Sequence, residues 1–172
     1  TDIAVKVQQD NPFSISQGKV IGLPTRTLKM GQYKRNIAYN APILYASTTL
    51  YKGCLVPTYI DQETDYGAFL REYDLVSLVF SNIPHKLCYK TYPQENRKFP
   101  DDDPIENYIK SLDNLILIKE KVDMRYLLSN FKIIVTSGAT STLGWAVMSE
   151  KPIVFINWSC HIPLADEALE SL

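Results

Sequence analysis

A short polar turn between two apolar segments is the part of this chain best suited to bind an anion. Residues 133–135 are Ile-Ile-Val, which is typical of a strand buried on both faces. Small and hydroxyl-bearing residues follow, and residues 143–148 then have the composition of a helix. The first turn of a helix offers free N–H groups and the positive end of its dipole, which both favour phosphate. We therefore predict a phosphate site in this turn, formed by Ser137, Gly138, Ser141 and Thr142.

Polar residues also follow two earlier segments that have the pattern of strands. Lys90 ends the segment 86–90, and Thr48 and Thr49 come directly after the segment 43–47. Because parallel strands end at one edge of a sheet, we expect these residues to meet the predicted phosphate turn. Lys90 would then neutralise phosphate charge, and the threonines would line the cleft. The alternatives are that Lys90 is a solvated surface lysine and that the hydroxyls of the turn only cap the helix.

The elements that must position these residues alternate along the chain. Short apolar runs with the pattern of strands are separated by segments with the spacing of helices. This alternation predicts an α/β fold: a doubly wound, Rossmann-like parallel sheet of five to six strands, with helices on both faces. The strands are predicted at 43–47, 86–90, 115–118, 133–136 and 153–156, and the helices at 65–80, 105–112, 123–129, 143–148 and 165–172.

Composition and charge exclude several classes of protein. The 172 residues are 45% hydrophobic and 22% charged, which suits one globular domain with a substantial core. The net charge of −1 predicts no nucleic-acid binding and no polybasic patch for a membrane. No apolar run approaches the roughly 20 residues that span a bilayer.

The metal-ligating residue types are too scattered to predict a metal site. The three cysteines, Cys54, Cys88 and Cys160, lie far apart, and the two histidines have no metal-ligand spacing. An odd number of separated cysteines favours reduced thiols and a cytoplasmic location. The acidic run 101–103 is interpreted as a solvated loop. We expect neither a metal nor a cofactor.

Four segments together resemble the C-terminal, nucleotide-binding half of a glycosyltransferase of the GT-B type. Gly22–Arg26 is similar to a Gly-x-Pro-Arg element between the two halves of such enzymes, and Ile43–Thr49 to the first strand and loop of that half. Leu87–Pro93 is similar to a strand that ends in Lys-x-His-Pro. Thr136–Thr142 is similar to a Ser-Ser or Ser-Thr motif before a helix, and Lys151–Pro152 to the Lys-Pro pair that follows it.

The resemblance implies an enzyme that transfers sugars in the synthesis of bacterial surface polysaccharide, such as capsule. Its partners would be a nucleotide sugar and a glycan acceptor, with the acceptor bound by an N-terminal domain that the sequence lacks. The general base of such enzymes usually comes from that domain, so no catalytic residue is assigned here. Peripheral membrane association of the full-length protein is also expected.

The same resemblance suggests how the chain is divided. Residues 1–37 are interpreted as a remnant of a preceding region and a linker, and residues 38–172 as the nucleotide-sugar-binding domain. The segment 165–172 has the pattern of a helix without a C-cap signal, from which we expect a domain truncated at its C-terminus.

Two departures from the family pattern bear on the donor. Tyr92 stands where the family has His, and Trp145 and Ala146 stand where retaining enzymes have a Glu that holds the donor ribose. The missing Glu favours a CMP-linked donor. Three alternatives stay open: an enzyme similar to sugar-nucleotide 2-epimerases, one similar to glycerophosphotransferases, and a non-catalytic Rossmann-like interaction module.

Overall fold

The computed structural model of the protein describes residues 39–49, 51, 63–92, 103–138, 140–158 and 166–170. Five strands and five α-helices alternate along these residues. The strands are β1 (Ile43–Ala46), β2 (Leu87–Lys90), β3 (Leu115–Ile118), β4 (Ile133–Thr136) and β5 (Ile153–Phe155). The helices are α1 (Asp65–Asp74), α2 (Glu106–Lys110), α3 (Met124–Leu127), α4 (Ser141–Val147) and α5 (Asp166–Leu169).

The five strands form one parallel sheet in the order β3-β2-β1-β4-β5. The register pairs Ala46 of β1 with Lys90 of β2 on one side and with Thr136 of β4 on the other. The polar residues that follow these three strands therefore emerge side by side at the carboxyl edge of the sheet. The predicted α/β, Rossmann-like parallel sheet is confirmed, and each of the five predicted strands lies within a residue of its expected bounds.

The connection from β1 to β2 contains the longest helical segment of the described residues. The Thr64 side chain caps α1 by accepting from the N–H of Gly67 at 3.1 Å, which satisfies one donor of the first turn. After Asp74 the chain continues through a π-helical turn and a 3₁₀ turn that ends at Asn82. The side-chain amide of Asn114 donates to the carbonyls of Phe80 and Ile83 and so satisfies acceptors at this helix end.

Hydrophobic side chains cover both faces of the sheet. On the α1 face, alternate strand residues such as Tyr45 and Tyr89 pack against α1, α2 and the turns after α1. On the α4 face, the residues between them, such as Leu44 and Cys88, pack against α3 and α4. A strand presents successive side chains to opposite faces, so each residue at the carboxyl edge belongs to one face or the other.

Some expectations fall on residues that the structure does not describe. The boundary between residues 37 and 38 and the segment Gly22–Arg26 lie outside the described residues, as do residues 93–102 with most of the acidic run. Within the described residues, no helix is long and apolar enough to cross a membrane.

Candidate functional site at the carboxyl edge of the sheet

Lys90 is a buried cation at the end of a central strand. Only 6% of its surface is exposed, although it is the last residue of β2 and its ammonium carries a charge. Among the described residues its Nζ donates one hydrogen bond, to the Thr91 carbonyl at 3.4 Å, and no carboxylate lies within 4.0 Å. Burial lowers the pKa of Lys90 because it removes water from the ammonium, while the negative charge of Glu120 opposes that shift. A buried charge needs a counter-ion, and none of the described carboxylates is in contact with Lys90.

Thr48 and Gly138 lie against each other where β1 and β4 end. A Cβ atom on Gly138 would be 2.5 Å from Thr48 Oγ1, 3.1 Å from its Cβ and 3.2 Å from its Cγ2. Real Cβ atoms do not approach other atoms so closely, so the contact requires glycine. The sequence predicts that these two loops lie at the same edge, and in the structure they are in van der Waals contact.

Thr140 caps the helix that follows the predicted phosphate turn. Its side chain accepts from the backbone N–H of Thr142 at 3.3 Å, and α4 begins at Ser141. The hydroxyls of Ser141 and Thr142 are therefore not the cap, which was the alternative reading of these residues. Ser141 is exposed and Thr142 half-buried, both in the first turn of α4. The helix has only seven residues, so a full charge such as that of Lys90 matters more here than the dipole.

A buried carboxylate, Glu72, lies on the other face of the sheet. This α1 residue is 1% exposed and accepts three hydroxyl groups. Tyr45 donates to it at 2.9 Å, Thr49 at 2.7 Å, and Tyr89 donates to its Oε2. An ionised carboxylate has about four acceptor positions, so Glu72 can satisfy all three donors. Burial raises the pKa of both tyrosines well above the ordinary value, and the negative charge of Glu72 raises it further.

The direction of these hydrogen bonds determines whether the Ser137 hydroxyl can donate to a ligand or only accept from one. The Ser137 and Tyr45 hydroxyls are 3.2 Å apart, and either could donate. Tyr45 has a single hydroxyl proton, which goes to Glu72. The Ser137 proton is therefore donated to Tyr45, and Ser137 keeps only lone pairs for another group. In this arrangement it cannot donate to a phosphate.

Arg71 and Trp158 lie next to the Glu72 network on the α1 face. The Arg71 guanidinium pairs with Glu63, donates to Thr49 Oγ1 at 3.3 Å and lies 5.9 Å from the centre of the Trp158 ring. Two buried donors, Arg71 Nε and Trp158 Nε1, have no hydrogen-bond partner within the described part of the chain. Buried polar atoms are rarely left without a partner, so both deserve a functional explanation.

The predicted site residues thus divide between the two faces. Lys90 follows Tyr89 and so points to the α4 face, the face that α4 covers. The structure brings Thr48 and Gly138 into contact. These two residues follow β1 and β4, and Lys90 ends β2 on the other side of β1. The hydroxyl groups of Ser137 and Thr49 do not join these residues, because they bond to the Glu72 network on the α1 face.

Sequence reasoning missed the residues of the Glu72 network. One signal was available: Glu72 lies four residues from both Ala68 and Val76, in the buried stripe of its helix. A charged residue in such a stripe needs buried partners. Those partners, Tyr45 and Tyr89, lie in strands that were interpreted as hydrophobic core alone.

The described residues contain no group of three or more His, Cys, Asp or Glu that could hold a metal ion. No protein-family model matches the chain, and comparisons with curated proteins and with solved structures also find no match.

Proposed function

We propose that this chain binds the phosphate of a nucleotide sugar and serves as the donor-binding domain of a glycosyltransferase of surface-polysaccharide synthesis. The chain holds the donor and stabilises the charge of the leaving nucleotide phosphate. No residue of it is nominated as the general base. The sequence resemblance supplies the reaction class, and the polar groups at the carboxyl edge support a phosphate site.

The observation that carries this proposal is the buried ammonium of Lys90, which forms no ion pair within the described part of the chain. A buried cation is costly unless an anion accompanies it, and no carboxylate of the described residues lies within 4.0 Å. A phosphate at the carboxyl edge would supply the missing negative charge. Ligands of open parallel sheets bind beyond the carboxyl ends of the strands, which is where Lys90 lies.

Neighbouring groups suit the same anion. Gly138 has no side chain, which lets the end of β4 contact Thr48, and this contact fixes the two loops beside each other. Ser141 and Thr142 can donate hydroxyl protons from the first turn of α4, since Thr140 already caps that helix.

Calorimetry with CMP, CDP, UDP and GDP tests this proposal directly. Lys90→Met keeps the length of the side chain and removes its charge. Losing a charge-assisted hydrogen bond costs about 1.5–3 kcal/mol, so the affinity should fall about tenfold or more. Lys86→Met is the matched control, because Lys86 is exposed and precedes the same strand at the opposite edge. Equal affinity of parent and Lys90→Met would contradict the proposal.

A second variant separates phosphate binding from helix capping. Ser141→Ala combined with Thr142→Val leaves the Thr140 cap in place, so the fold should keep its stability within about 0.5 kcal/mol. We expect nucleotide affinity to fall about tenfold. Unchanged affinity in this variant would show that the first turn of α4 does not bind the nucleotide. Absence of nucleotide binding in the parent chain would instead favour a non-catalytic module.

A further inference from the structure

The outer side of β5 carries backbone groups that face away from the rest of the sheet. Among the described residues β5 is the last strand, and it pairs with β4 on one side. The Pro152 carbonyl accepts from the Ile134 N–H at 3.0 Å, which shows that the backbone of Pro152 faces β4. Backbone groups of successive strand residues point to opposite sides, so those of Ile153 and Phe155 point away from β4. Two N–H and two C=O groups therefore line the outer side of β5.

This side of β5 lacks the features that usually protect an edge strand from pairing. Such edges carry charged side chains, an interrupting proline or a bulge. Residues 152–158 contain no charged residue, and β5 pairs with β4 in a regular register. Pro152 faces β4 and so does not interrupt the outer side, while Lys151, the nearest lysine, donates to the Phe131 carbonyl. The side chain of Val154 is 52% exposed. An apolar edge of this kind favours pairing with another strand.

We propose that β5 pairs antiparallel with β5 of a second copy of this chain. A twofold axis at Val154 places Ile153 opposite Phe155 of the second copy, and each such pair exchanges two hydrogen bonds. All the outward backbone groups of these two residues are then satisfied, because their pattern is complementary to itself when its direction is reversed. Pairing of β5 with the other edge strand, β3, would instead leave an open edge on every copy, whereas the twofold pairing closes.

The same axis covers the exposed side chain of Val154. Residues directly opposite in antiparallel strands have side chains on the same face, so the two copies of Val154 would lie against each other. Their Cα atoms would be about 4.5 Å apart, as in a non-hydrogen-bonded pair. The contact uses the outer side of β5 and not the carboxyl edge of the sheet. This inference therefore does not depend on the proposed function.

The interface is small, and its size sets the expected strength. A stable complex buries roughly 800 Å² on each partner, and the edge of one short strand covers less. We therefore expect a weak dimer, in equilibrium with the monomer at chain concentrations of about 0.1–1 mM.

Amide hydrogen exchange of the unchanged chain, followed by NMR in dilute and in concentrated solution, tests the pairing at single residues. The amides of Ile153 and Phe155 should exchange rapidly in dilute solution and at least about threefold more slowly in concentrated solution. The amide of Ile156 donates to the Thr136 carbonyl and should be equally protected in both. Slow exchange of Ile153 and Phe155 in dilute solution would show that another part of the chain already covers this edge, and would overturn the inference.

Charge reversal at the twofold axis tests the identity of the partner. Val154→Lys and Val154→Glu should each be monomeric by sedimentation velocity, because like charges then meet across the axis. An equimolar mixture of the two should recover the dimer, since opposite charges meet. Val79→Lys is the matched control, because Val79 is a valine of similar exposure, 48%, in the π-helical turn after α1, and it should dimerise like the parent. A parent that stays monomeric at the highest concentration, a single Val154 variant that dimerises like the parent, or a mixture that stays monomeric would each overturn the inference.

Discussion

Individual residues at the carboxyl edge differ in how well their polar atoms are satisfied. Glu72 is fully buried and accepts three hydroxyl groups, so it stabilises the fold around it. Lys90 is nearly as buried, yet with the described residues its ammonium makes a single long hydrogen bond, to a carbonyl. Unsatisfied buried groups cost stability and persist where function requires them. This contrast is the reason why we propose Lys90, and not Glu72, as a ligand-binding residue.

Lys90→Met should therefore stabilise the protein in the absence of ligand. At pH 7 the substitution removes a buried charge, and we expect the free energy of unfolding to rise by about 0.5–2 kcal/mol. The pKa of Lys90 is lowered in the folded protein, so above that pKa the unfolded chain binds more protons than the folded one. The stability of the parent then rises with pH, and its difference from Lys90→Met shrinks towards pH 10.5. Urea unfolding at several pH values measures this.

The control for that experiment is Lys86→Met, whose exposed side chain should leave stability within about 0.5 kcal/mol at every pH. A Lys90→Met protein that is less stable than the parent at pH 7 would show that Lys90 stabilises the fold, and the ligand-binding reading would lose its main support.

Sequence reasoning located most of the polar residues at this edge but not their partners. Lys90, Thr48 and Gly138 follow apolar runs, and a pattern along the chain is enough to find them. The separation of Ser137 from Lys90 depends on which face each side chain points to and on the tyrosine hydroxyls that Glu72 accepts. Such contacts join residues 27 and 92 positions apart, so no local pattern could have predicted them.

At the scale of elements, the ends of β1 and β4 are joined by one close contact. Gly138→Ala would place a Cβ atom 2.5 Å from Thr48 Oγ1, so the loops must separate. Overpacking of this kind costs about 1–3 kcal/mol. We expect Gly138→Ala to lower the free energy of unfolding by that amount, and Thr48→Ala in the same chain to restore most of it. Chemical denaturation of the two single variants and the double variant measures the coupling.

Gly144→Ala is a matched control for this pair. Gly144 lies inside α4, and a Cβ atom there meets nothing within 4 Å. The substitution should stabilise the protein by up to about 1 kcal/mol, because alanine favours helix over glycine. If Gly138→Ala is as well tolerated as Gly144→Ala, the two loops are not in contact.

Element bounds were predictable where a hydrophobic pattern was strong. The strands at 115–118 and 133–136 have the expected bounds because apolar residues fill them and polar residues flank them. The helix predicted over 65–80 is present, but its last two turns are π-helical and 3₁₀. Each of these segments is only about one turn long, so its side-chain period is too short to be distinguished from that of an α-helix in the sequence.

On the scale of the whole molecule, the order of the strands decides which polar residues are neighbours at the carboxyl edge. β1 lies at the centre of the sheet, between β2 and β4, so the residues after all three strands converge. The alternation of strands and helices predicted a parallel sheet, because parallel neighbours need a crossover connection. The alternation does not predict the order β3-β2-β1-β4-β5. That order depends on which side of β1 each later strand is added to.

Cys88 offers a test of how cooperatively this sheet is held together. It lies in β2, an interior strand, is fully buried, and burial raises the pKa of its thiol to about 12. In a chain with Cys54→Ser and Cys160→Ser, the remaining thiol should not react with a disulfide reagent at pH 8 unless the sheet opens. Its labelling rate should rise with urea in step with global unfolding. Rapid labelling that does not depend on urea would show that β2 opens locally.

The most direct test of the central claim is a crystal structure of the chain with CMP, soaked near the dissociation constant measured in solution. We predict that a phosphate oxygen lies about 3 Å from Lys90 Nζ, beside Thr48 and Gly138 and in front of the first turn of α4. A phosphate bound away from the carboxyl ends of β1, β2 and β4 would contradict the account, as would a Lys90 ammonium that stays buried and unpaired while the nucleotide is bound.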